Sequence, residues 1–244
     1  MLVWTYVAVL LMAAVAWVGT LSMPMHGDMH GMGMTMGPTV GDAAGYVAAW
    51  AVMMAAMMLP SAAPMIGLYA ATQRAATSAA ARTLAVTAFA LMYLAVWAAT
   101  GVPIYLAGLA LMSVGPTALA YITAGVLVAA GVYQLTPLKR VCLRHCRSAL
   151  GFLMGHWRDG WRGALAMGWA HAWYCVGCCW ALMVVLVVAG AMGIRWVLLI
   201  AGLVAAEKLL PRGEAIARLT GAALVLLGLA VAVYPLFATA LRAD

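Results

Sequence analysis

The sequence predicts an all-α protein: a polytopic bundle of transmembrane helices with about seven spans and its N-terminus in the cytoplasm. Two observations set the class. Hydrophobic residues make up 68% of the 244 positions and charged residues only 8%, against roughly 25% charged in a soluble domain. Mean hydropathy is +1.06, and the apolar residues fall into runs near the ~20 residues that cross a hydrocarbon core. A third observation sets orientation, because cationic and nearly uncharged loops alternate along the chain as the positive-inside tendency requires. All of 1–244 reads as one integral membrane domain.

The first run, 2–22, lacks a basic n-region, so it reads as an uncleaved helix rather than a signal peptide, although Ala14-Val15-Ala16 has the small residues of a cleavage site. The segment 23–43 follows and carries no cation, which places it outside. Its first part holds Met23, Met25, His26, Met29, His30, Met32, Met34 and Met36, six of the chain's nineteen methionines, with Gly and Pro between them. Such punctuation predicts a loop. Thioethers resist disulfide formation and suit Cu(I) capture in an oxidising compartment, and imidazoles accept Cu(II) as well.

The second run, 44–70, contains Met53, Met54, Met57 and Met58. Their i,i+4 spacing makes one sulfur-bearing face, with Ser61 and Met65 on the same side. Pro60 and Pro64 predict kinks. This face reads equally well as apolar gap-filling or as a path for a soft ion. Arg74 and Arg82 mark 71–83 as cytoplasmic, and the runs 84–111 and 118–135 follow on either side of the uncharged segment 112–117.

The segment 136–163 holds Lys139, Arg140, Arg144, Arg147, Arg158 and Arg162 and reads as the main cytoplasmic loop, a basic amphipathic stretch at the lipid surface. Cys142 and Cys146 share a helical face there, and nearby cations favour thiolate chemistry. With three of the five cysteines in an apolar run and two in this reducing-side loop, a disulfide framework is excluded.

The fifth run, 164–192, is the most informative. His171, Cys175 and Cys178 stack along one helical stripe with Cys179 at its edge and Met167 a turn earlier. Three thiols and an imidazole at bilayer depth are functional suspects. As soft donors they suit Cu(I), with zinc meeting the same ligands. Gly168 and Gly177 permit close approach by another helix. The sixth run, 196–211, carries Glu207-Lys208. Glu207 is a candidate to accept a hydrogen bond from His171 and fix its tautomer, or else the two charges anchor the helix end with Lys208 snorkelling. The last run is 219–240. A net charge of +7 points to anionic lipid rather than nucleic acid, since the cations lie in interfacial loops.

These pieces, in this order, resemble a bacterial family of predicted metal-binding integral membrane proteins. The likeness spans about residues 23–215. It rests on the Met-rich loop, Val52 to Ser61, Leu138 to Cys146, Trp157-Arg158-Asp159-Gly160, Glu207-Lys208 and, above all, His171…Cys175-Val176-Gly177-Cys178-Cys179-Trp180. Ala172 stands where the family pattern has Gly. The resemblance implies a multi-pass protein of the bacterial inner (cytoplasmic) membrane, a copper chaperone or metallation factor rather than an enzyme. Its client would be a copper oxidase of the tyrosinase kind or another cuproenzyme. Two alternatives stand beside it on the residues alone. One is a membrane thiol oxidoreductase using Cys175 and Cys178, with Cys142 and Cys146 as a second pair. The other is a non-catalytic subunit of a membrane complex.

Overall fold

The structure, a computed structural model, describes residues 2–22, 39–73, 78–188 and 194–235. The methionine- and histidine-bearing positions from Met23 to Met36, and Arg74, lie outside the described residues. Within them the regular elements are helices: α1 (Leu2–Ser22), α2 (Val40–Thr72), α3 (Ala79–Ala99), α4 (Gly101–Met112), α5 (Pro116–Leu135), α6 (Pro137–Arg147), α7 (Ala149–His156), α8 (Gly160–Val188), α9 (Ile194–Leu209) and α10 (Gly213–Val233). The chain is an all-α bundle. Six stretches among the described residues are long and apolar enough to cross a membrane: α1, α2, α3 continued by α4, α5, α8 and α10. They are compatible with a multi-pass membrane protein. The sixth expected run forms α9 of 16 residues, about 24 Å at 1.5 Å per residue, short of the ~30 Å hydrocarbon core.

Local chemistry sets the helix starts. Thr39 and Asp42 form a reciprocal capping box at α2. Ser78 caps α3 through the Ala81 amide, and Thr136 caps α6 with Pro137 in its first turn. Pro60 and Pro64 sit inside α2 without ending it. In an apolar environment an α-helix is the only local arrangement that satisfies its own backbone, which outweighs two missing donors.

The most buried helices are α2 and α8, and most large exposed side chains of α1, α5 and α10 are apolar, with Arg218 near the start of α10 the charged exception. This is the distribution of a bundle whose outer surface faces lipid. Interhelical contact is close where side chains are small. A Cβ on Gly221 would lie 2.9 Å from the Gly131 carbonyl oxygen, and one on Gly228 would lie 2.9 Å from that of Ala124. Helices α5 and α10 therefore meet backbone to backbone, as small-residue interfaces in membranes do. Near the start of α8, Gly168 sits against the carbonyl of Phe89 on α3. On α2, the Trp50 indole donates to the Trp97 carbonyl and to Thr100 Oγ1, tying α2 to the end of α3.

The basic segment 136–163 is helical and tucked in. Lys139, Leu143 and Cys146 occupy i, i+4, i+7 and so share one face of α6; Lys139 and Leu143 are fully buried on it and Cys146 is partly buried, while Leu138 and Val141 face outward. Arg147 donates to the carbonyls of Leu210 and Pro211 just beyond α9, and Arg144 pairs with Glu214 at 2.7 Å. Trp157 packs on Tyr69 near the end of α2. The end of α2, the segment 136–163 and the turn 210–213 thus gather at one end of the bundle. This gathering fits the alternating loop charges.

Candidate metal centre

The centre forms where α6 and α8 meet. Residues 175 and 178 are three apart on α8, so their side chains emerge side by side. The α6 helix brings Cys146 to them from the other side. The sulfurs of Cys146, Cys175 and Cys178 all lie within 4.8 Å of one another. Cys178 Sγ is 3.6 Å from Cys146 Sγ and 3.3 Å from Cys179 Sγ, and its thiol donates to the Cys175 carbonyl at 3.1 Å. Cys175, Cys178 and Cys179 are each 1% exposed, which shields the sulfurs from solvent oxidants. All five cysteines are free.

Two lysines face this cluster. Lys139, on α6, donates to the Cys178 carbonyl and to Glu207 Oε2, the latter at 2.6 Å, and both charged side chains are buried. Gln134 completes the carboxylate's shell, its amide donating to Oε1 at 3.0 Å. Glu207, expected beside His171, is therefore committed to Lys139 and Gln134. Lys208 does not snorkel. Its Nζ donates to Cys175 Sγ at 2.9 Å and to Ser61 Oγ at 3.2 Å, and lies 3.8 Å from Met58 Sδ. Tyr93 OH is hydrogen-bonded to Cys175 Sγ at 3.0 Å.

His171 lies on the expected stripe and is buried, but its ring packs among Phe89, Tyr93 and Phe152. Its Nδ1 has no hydrogen-bond partner. A buried, unpaired imidazole nitrogen one turn from Cys175 remains open to a ligand. Met53 and Met57 are buried in the core together with Met54 and Met58. Of these four thioethers, Met58 is the one in contact with Lys208. Cys142 Sγ lies against Gly177 of α8, where a Cβ would come within 2.8 Å of it, and it is outside the three-sulfur group. Burial pushes the Cys142 thiol above the usual range. Cys146 is also held well above it, first by its hydrogen bond to Cys175.

By local sequence Cys146 stands apart from the α8 cysteines, and Lys139 is one cation of a basic loop. The stripe Lys139-Leu143-Cys146 was the available signal. The cluster's donor set fits a soft monovalent metal: three or four thiols, an unpaired imidazole and adjacent thioethers, with few hard oxygen ligands.

The comparisons with known proteins agree with this chemistry. A family model described as PpoB2, copper chaperone, matches residues 47–231, which include every residue of the centre. No curated protein and no solved structure matches.

Proposed function

The chain belongs to the PpoB2 copper chaperone family, a non-enzymatic role, and from that premise we propose that it carries Cu(I) within the membrane for delivery to a cuproenzyme. The observation that carries this reading is the convergence of Cys146, Cys175 and Cys178 within 4.8 Å from two separate helices. Two or three thiolates satisfy Cu(I), and Cys179 and His171 are close enough in sequence and helical position to exchange with them. The copper is cargo. The protein's part is to hold it in a reduced, water-poor site and release it by ligand exchange.

In this reading the methionine- and histidine-rich segment 23–36 (Met23, Met25, His26, Met29, His30, Met32, Met34, Met36) collects copper outside the bacterial inner membrane. Met53, Met57 and Met58 on α2 lead inward, and the thiol cluster retains the ion. Cys146 lies on the helix between the bundle core and the cationic end, which suits a ligand that hands copper to a client on that side. Zinc is the competing metal for such donors. The alternative thiol oxidoreductase gains support from the sulfur–sulfur approach at Cys178, but the same sulfurs are buried, and disulfide exchange with another protein requires access to one of them.

The test is anaerobic Cu(I) stoichiometry of the purified protein against Cys175→Ser/Cys178→Ser and Cys146→Ser. The double variant is expected to lose about one tightly held copper, and the single variant to hold it more weakly. Unchanged retention in the double variant would remove the thiol centre from the function.

A further inference from the structure

One ammonium group joins the two sulfur systems. Lys208 Nζ contacts Met58 Sδ and Ser61 Oγ on α2 and Cys175 Sγ on α8. It comes from α9, which packs against both of those helices. Lys208 is 7% exposed, and no carboxylate among the described residues touches it: Glu207, its neighbour in sequence, is bonded to Lys139 and Gln134. A cation is therefore held in the bundle interior by a thioether, a hydroxyl and a thiol. That environment is poor for a hard ammonium and good for a soft metal ion.

We propose that the position held by the Lys208 ammonium is a Cu(I) transfer site between Met58 and Cys175, and that Lys208 gates it. Copper descending the methionine face reaches Met58 last. It gains Cys175 only when the ammonium swings aside, so the lysine controls passage into the thiol cluster. Copper remains Cu(I) throughout. The Cu–Sδ bond to Met58 is exchanged for a Cu–Sγ bond within the cluster, and any thiol that becomes a ligand gives its proton to solvent, as metal binding to cysteine requires. Lys208 keeps its charge and lies beside the anionic copper–thiolate group afterwards, where a low dielectric makes a counter-ion valuable. Ser61 holds the ammonium at the junction until exchange occurs. The inference rests on the copper reading of the thiol cluster.

The experiment follows anaerobic transfer of Cu(I) from a chromophoric bicinchoninate complex to the full-length protein in nanodiscs, recording both loading rate and final stoichiometry. Lys208→Leu removes the charge and adds no sulfur ligand. It is expected to load faster by on the order of tenfold or more, the equivalent of one lost hydrogen bond between a charged group and its partner. Lys208→Arg, bulkier and permanently charged, loads more slowly than the wild type. Met58→Leu also loads more slowly while reaching the wild-type stoichiometry, a split that a packing defect does not produce. Loading of folded K208L at the wild-type rate or below overturns the gate. Should K208L not fold, wild-type rates in both K208R and M58L overturn it instead. A wild-type protein that takes up no copper refutes the underlying copper reading, and a wild type that binds copper with rates indifferent to all three changes refutes only the gate.

Discussion

Breaking the buried Lys139–Glu207 pair is expected to destabilise the protein by about 3–5 kcal/mol. The two charges are 2.6 Å apart, at 0% and 1% side-chain exposure. At an effective dielectric of ~20 their gross attraction is about 6 kcal/mol, which desolvation of both groups reduces. Glu207→Ala leaves the Lys139 ammonium buried with, among the described residues, the Cys178 carbonyl to accept from it, and strips the Gln134 amide of its acceptor. Lys139→Met strands the carboxylate in the same way. The double change K139M/E207L removes both charges and is expected to recover most of the loss, since two apolar groups of similar volume replace an ion pair at little cost. The assay is reversible unfolding in mixed micelles for the wild type, both single variants and the double variant, read as a mutant cycle. Single costs below about 1 kcal/mol, or a double cost equal to the sum of the singles, would refute the assignment of this pair as a structural clamp. The clamp also bears on the metal centre, because Lys139 bonds the Cys178 carbonyl and holds α6, with Cys146, against α8. K139M is accordingly expected to weaken Cu(I) retention even at temperatures where it is folded.

Other outcomes follow from the same geometry. Cys142→Ser is expected to keep the wild-type copper stoichiometry while Cys146→Ser does not, since only the latter sulfur stands with Cys175 and Cys178; chelator competition on the two variants reads this directly. Because burial raises the Cys142 thiol, its maleimide labelling should be slow at pH 7 and accelerate as the pH rises past the ordinary thiol range of about 8.5. A labelling rate at pH 7 equal to that of a free model thiol would contradict it. Gly221→Val places new atoms against the Gly131 carbonyl and Gln134 and should cost roughly 1–3 kcal/mol by overpacking, measured by the same unfolding assay. Removing residues 23–36 should slow copper uptake at low copper without changing the stoichiometry of the thiol centre. A lost tight copper in that deletion would place the retention site in the segment instead.

Much of this molecule is legible in one dimension because a membrane simplifies the physics. Apolar runs near twenty residues must be helices where no water satisfies the backbone, so the runs 2–22, 44–70, 84–111 and 118–135 correspond closely to α1, α2, α3–α4 and α5. Helical spacing on a single element also carried through, and Cys175 and Cys178 are adjacent in space because they are three apart on α8. Which elements lie beside one another is not encoded in any local pattern. The 11-residue α6 looks like a surface helix by charge, and only the tertiary packing shows its Lys139-Leu143-Cys146 face turned inward. Whether Glu207 meets His171 or Lys139, and whether Lys208 reaches lipid headgroups or Cys175, depends on the rotation of α9 against α2, α6 and α8. Sequence alone determined the helical class, most of the spans and the soft-donor chemistry, because these depend on solvent and on neighbours along the chain; that the sixth run falls short of a span is seen only in α9. The three-helix meeting point of Cys146, Cys175 and Lys208 was decided by packing, because it depends on contacts between residues far apart in sequence.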